Sequence, residues 1–130
     1  MKIVVGYEGS KACLNALKLA ATYAKMFHAH VLVVSSQVGG ADSPQEKIIE
    51  ARQRLASAEE LLARHRVACE THLLVRGNMP GEDIVEFAKE QKADQIIIGI
   101  KRRSKVGKLV FGSNAAYVVL NAHCPVLTTR

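Results

Sequence analysis

A chain of 130 residues, 48% hydrophobic and 23% charged, has the composition of one compact globular domain and excludes a disordered polymer. No apolar run approaches the roughly 20 residues needed to span a bilayer. The formal net charge is +6, and the opening MKIVVGY lacks the apolar core and cleavage site of a secretory signal, so the chain is expected to act in the cytoplasm without membrane contact.

Lys2 to Tyr7 reads KIVVGY, a nearly continuous β-prone run of the kind found in strands covered on both faces. From Ser10 to Phe27, apolar residues at Cys13, Ala16, Leu17, Ala20, Ala24 and Phe27 recur at helical spacing, with Ser10 as the N-cap. His30 to Ser36 is a second strand. After a loop from Gln37 to Asp42, the run Ser43, Pro44 and Glu46 predicts a helix start with Ser43 capping. Its buried stripe is Ile48, Ala51, Leu55, Ala58 and Leu62.

Ala68 to Val75 alternates mildly, as a less buried edge strand does, and Gly77, Pro80 and Gly81 lead into a helix from about Pro80 to Lys92. That helix carries Ile84, Val85, Phe87 and Ala88. Gln95 to Gly99 is the most apolar strand and is expected in the sheet interior. A basic run from Ile100 to Phe111 precedes a helix opened by Gly112 and Ser113, and Pro125 to Thr129 forms the fifth strand. Cys13, Cys69 and Cys124 are odd in number and far apart, which excludes a disulfide framework, and they are expected as buried thiols. His28 and His30 are two apart at a helix-to-strand junction and the other histidines are isolated, so no metal site is expected.

Strands alternating with helices imply βαβ units, a parallel sheet and helices on both faces: a doubly wound α/β domain spanning 1–130. Ligands of such sheets bind beyond the carboxyl ends of the strands, where strand order reverses. Two segments reach such ends. Tyr7, Glu8 and Gly9 follow strand one, and Ile98 and Gly99 close strand four. Glu8 can accept hydrogen bonds from ribose hydroxyls. Thirteen residues after Gly99, the sequence Gly112-Ser113-Asn114 opens a helix whose free N–H groups and positive dipole end suit phosphate oxygens. Lys101, Arg102, Arg103, Lys105 and Lys108 lie between. With these five set aside the formal charge falls from +6 to +1, so the basic character is local. There is no GxGxxG, and Arg102 stands where a Walker loop ending in Gly107-Lys108 would need glycine.

The residues resemble the universal stress protein family along the whole chain. VVGYEGS is similar to that family's first strand and acidic-Gly-Ser turn, and ADQIIIG to its fourth strand. GIKRRSKVGKLVFGSN resembles the ATP-binding pattern of Gly, two residues, Gly, nine residues, Gly, then Ser or Thr. Gly99, Gly112 and Ser113 fit it, whereas Arg102 replaces the second glycine and Glu8 stands where nucleotide-binding members usually have Asp. The resemblance implies strand order 3-2-1-4-5, ATP or AMP as ligand, and magnesium carried only by the phosphates. It implies Glu8 on the ribose, Val34 meeting adenine through its backbone, and Gly99, Gly112, Ser113 and Asn114 on ribose and phosphates. Arg102 would either crowd the phosphates or, as the favoured alternative, grip their oxygens with its guanidinium fork. The resemblance further implies a homodimer through strand five, at Val126, Leu127 and Thr128.

The leading expectation is a stress-response regulatory module that binds an adenine nucleotide. Two alternatives stand beside it: a family member that binds no nucleotide and acts as a dimeric interaction module, and a slow ATPase. Gly99 to Asn114 contains no carboxylate and no histidine, so no catalytic residue is assigned. A nucleic-acid contact through the basic run is the lesser reading, because aromatic residues are only 5% of the chain and a stacking platform is lacking.

Overall fold

The computed structural model describes residues 1–101 and 112–130. Strands β1 (Lys2–Gly6), β2 (His30–Ser36), β3 (Cys69–Leu74), β4 (Gln95–Gly99) and β5 (Val126–Thr129) alternate with helices α1 (Lys11–Phe27), α2 (Gln45–Arg64), α3 (Pro80–Glu90) and α4 (Ser113–Asn121). All pairings are parallel and the order is β3-β2-β1-β4-β5, so chain direction across the sheet reverses at β1. The expected doubly wound α/β architecture and its strand order are thus observed.

Alternation along the strands sorts side chains into two cores. Ile3, Val5, Val31, Val33 and Ile97 face α1 and α2, and Val4, Leu32, Val34, Ile96 and Ile98 face α3 and α4. Helix α1 meets the sheet mainly through Ala12, Ala16, Ala20, Ala21 and Ala24, and these small side chains let its backbone approach β4 closely. Ser10 caps α1 as predicted, its Oγ accepting the Cys13 N–H at 3.2 Å. β3 is the half-buried edge and β4 lies inside the sheet, also as predicted.

Some local expectations fail. Ser43 does not cap α2: Pro44 occupies the cap position with extended backbone, and the Ser43 hydroxyl instead donates to the Val38 carbonyl at 2.8 Å. The preceding loop contains a 3-10 turn, Gly40–Asp42. Ile48 is only half-buried, and α3 ends at Glu90. Of the thiols, Cys13 is buried, but Cys69, at the start of edge strand β3, and Cys124, just before edge strand β5, are half-buried. Among the described residues, no helix is long and apolar enough to cross a membrane, and no group of three His, Cys, Asp or Glu side chains could hold a metal ion.

Candidate functional site

The carboxyl ends of β2, β1 and β4 open into a cavity of about 310 Å³, within the size range of small-molecule sites. Three glycines show how the backbone shapes this edge, each for a different reason. At Gly99 a Cβ would lie 2.4 Å from the Ala12 carbonyl carbon and 2.6 Å from the Cys13 nitrogen, so only glycine lets α1 begin against the end of β4. Gly9 has φ +91° and packs under the Arg54 side chain, turning the chain from β1 toward α1. Gly112 has an ordinary φ of −66°, and a Cβ there would meet nothing within 4 Å. Among the described residues no contact calls for glycine at 112, and Gly112 lines the cavity.

Tyr7, Glu8, Val34, Ile98 and Gly99 line the cavity from the strand ends. Lys101, Gly112, Ser113 and Asn114 line it from the other side of the switch point. Gly9 stands one residue behind the wall, and Arg102 and Arg103 lie outside the described residues, as do Lys105 and Lys108.

The Tyr7 N–H donates to the Val34 carbonyl at 2.8 Å, extending the β1–β2 ladder one residue past Gly6. That carbonyl therefore has one remaining lone pair for any ligand. Tyr7 is half-buried, and its phenol is pushed above the usual tyrosine value by burial and then by Cys13, with Arg54 opposing. Glu8 is exposed, and its Oε1 is 2.9 Å from the Lys101 Nζ, so the carboxylate at the end of β1 and the ammonium past the end of β4 meet across the mouth.

Helix α4 starts at Ser113 with Gly112 as N-cap and, among the described residues, no side chain capping it. Its first-turn N–H groups therefore have no partner from a cap, which leaves the end of the helix suited to an anion. Asn114 is partly engaged, because its Oδ1 accepts the Gly81 N–H at 2.9 Å; among the described residues its amide nitrogen has no hydrogen-bond partner.

The cavity also has walls absent from the sequence reading: Ser36 and Val38 at the end of β2, and Pro80 and Ile84 of α3. Behind Ser36 lies Asp83, fully buried. The signal for Asp83 is an acidic residue four positions before buried Phe87, on the apolar stripe of α3.

A solved universal stress protein from Archaeoglobus fulgidus superposes with a TM-score of 0.92 at 42% identity, covering 100% of this chain and 98% of that one. The universal stress protein from Archaeoglobus fulgidus in complex with dAMP superposes with a TM-score of 0.87 at 38% identity, covering 100% and 98%. A universal stress protein of Methanocaldococcus jannaschii is 34% identical over 140 residues, spanning 99% of this chain and 81% of its own length. The sequence model of that family matches residues 1–130, from β1 to β5, and the chain belongs to the universal stress protein family.

Proposed function

We propose that the cavity binds an adenine nucleotide, AMP or ATP, and that the protein is a cytoplasmic stress-response module whose occupancy is its signal. The carrying observation is the meeting of Glu8, Gly99, Gly112 and Ser113 around one cavity. The uncapped start of α4 receives the phosphates and Glu8 accepts from the ribose. The base then lies toward β2, against Val34 and Ile84. This order follows the sheet, with β4 on one side of β1 and β2 on the other. The 38% identical relative in complex with dAMP supports the same ligand class. In this reading Arg102 and Arg103 add cationic contacts, and magnesium enters only with the phosphates.

The test combines mass spectrometry of small molecules released from the purified protein with calorimetric titration of AMP, ADP and ATP. Gly112→Asp is the sharp variant. Aspartate is a good N-cap, so the fold should be kept or strengthened, while its charge and its occupation of the first-turn N–H groups should lower nucleotide affinity at least about tenfold. Absence of any titration heat or thermal shift with the wild type at millimolar nucleotide would refute the proposal.

We propose in addition that two copies pair through β5. Val126, Leu127 and Thr128 lie on β5, which among the described residues pairs with β4 on one side only, the kind of edge a second copy covers.

A further inference from the structure

Asp83 is a fully buried carboxyl group within a predominantly apolar core, and its role is not explained by the fold. Its two oxygens have separate donors. Oδ2 accepts from the Ser36 hydroxyl, and Oδ1 accepts from the Asn78 Nδ2 at 3.0 Å. Asn78 Nδ2 is also 3.4 Å from the Glu86 Oε2. Two acceptor-only groups face that amide, so its nitrogen, rather than its oxygen, must point at Asp83. Arg76, bridged to Glu90 at 2.9 Å, places positive charge nearby.

A serine hydroxyl has one proton and two lone pairs. At Ser36 the proton is held by Asp83, so the oxygen offers only acceptor capacity to the cavity it lines. Any ligand group seated there must donate. The negative charge behind Ser36 also disfavours a phosphate at this end.

We infer that Ser36 reads the purine base, accepting from the exocyclic amine of adenine and rejecting a 6-oxo purine, with Asp83 as the positioning residue that fixes the direction of the hydroxyl. This rests on the adenine-nucleotide reading of the cavity, with the base at the β2 end. A 6-oxo base would bring a carbonyl oxygen against a serine oxygen that has no proton to give, and two acceptors facing each other in a half-buried site leave both unsatisfied.

The experiment titrates AMP, inosine monophosphate and purine riboside monophosphate, which keeps the ring nitrogens of AMP but has no substituent at C6. Wild type should bind AMP at least about tenfold more tightly than inosine monophosphate, with the unsubstituted purine between. In Asp83→Asn, Asn78 still needs an acceptor, so the new amide turns its oxygen to Asn78 and its nitrogen to Ser36. The Ser36 proton is then released into the cavity, and the preference for AMP over inosine monophosphate should shrink or reverse. Ser36→Ala should bring the three ligands within about threefold of one another. A merely structural role for Asp83 would lower all affinities together and leave the ratios unchanged, which would overturn the inference. So would a wild type that binds AMP but does not discriminate; that result leaves the nucleotide reading standing, whereas no binding of any adenine nucleotide removes both. If a variant fails to fold, a wild type that binds AMP without discriminating still overturns the inference.

Discussion

Asn114 Oδ1 accepts the backbone N–H of Gly81 at 2.9 Å, tying the first turn of α3 to the first turn of α4. Both helix starts border the cavity, at Pro80 and at Gly112 to Ala115. Their separation is set by how closely the two backbones pack. A Cβ on Gly81 would lie 2.8 Å from the Asn114 carbonyl oxygen and 3.1 Å from its Cα. These are backbone atoms, which cannot swing aside as a side chain would.

Gly81→Ala is therefore expected to destabilise the protein. In an unconstrained helix the same change stabilises by about 1 kcal/mol, whereas overpacking here costs about 1–3 kcal/mol. Urea unfolding reads the sign directly. Asn114→Ala removes the hydrogen bond without adding bulk and should cost about 1 kcal/mol. A stabilised Gly81→Ala protein would mean that the two helix starts are free to separate.

The Glu8–Lys101 pair should matter to ligand more than to fold. Both side chains are about half exposed, at 58% and 50%, so the pair contributes at most about 1 kcal/mol to stability. In the nucleotide reading, Lys101 neutralises a carboxylate that would otherwise repel the phosphates, and leaves Glu8 Oε2 for a ribose hydroxyl. Lys101→Ala should weaken AMP by about two- to fivefold and leave adenosine nearly unchanged. The AMP-to-adenosine ratio of the wild type should fall as salt rises. Equal losses for both ligands would assign Lys101 a packing role instead.

Much of this site is legible before folding, and what escapes has a common cause. Gly99, Gly112 and Ser113 are readable because each marks an element boundary, a strand end or a helix start, and boundaries are where backbone groups face a ligand. His30–Ser36 and Gln95–Gly99 match their predicted bounds because continuous apolar runs stop sharply at polar or glycine residues. The misread start of α2 shows the limit of local rules. Ser43, Pro44 and Glu46 contain the letters of a capping box, but α2 takes Pro44 as its cap, and the Ser43 hydroxyl donates to the Val38 carbonyl rather than accepting a helix N–H. The Ser36–Asp83 bond joins residues 47 apart. It depends on α3 crossing over the end of β2, a relationship that no window of sequence contains.

Acid should loosen the β2–β3 edge. Glu70 accepts from His72 at 3.0 Å and lies 3.3 Å from His30; His72 first, and His30 after it, hold its carboxyl below the ordinary value of 4.5, with desolvation opposing. A carboxyl depressed in the folded state stabilises fully above its unfolded value, and the contribution disappears as pH falls through the lower folded value. Glu70→Gln should therefore melt below the wild type above pH 4.5, and the two curves should converge as pH falls through the lower folded value. Because Glu70 is exposed to solvent, added salt should narrow the gap. A gap that widened as pH falls below 4.5 would contradict the assignment.

The proposed pairing through β5 can be separated from the stability of the monomer. The Pro125 and Thr129 carbonyls accept from Ile96 and Ile100 of the β4 segment at 3.0 and 2.7 Å. In a parallel ladder, successive residues turn their N–H and C=O groups to opposite sides. Pro125, Leu127 and Thr129 thus serve β4, and Val126 and Thr128 present their backbone groups to the open edge. Thr128→Pro deletes an outward N–H and leaves the β4 ladder intact, a placement that edge strands tolerate. Sedimentation equilibrium should show the wild type as a dimer and Thr128→Pro as a monomer, with melting lowered only by what the lost interface contributed. Leu127→Pro is the contrasting variant, since it removes a donor to β4 and should unfold the edge itself. If Thr128→Pro remains dimeric, the two copies meet through another face, for which exposed Leu120 of α4 is the next position to change.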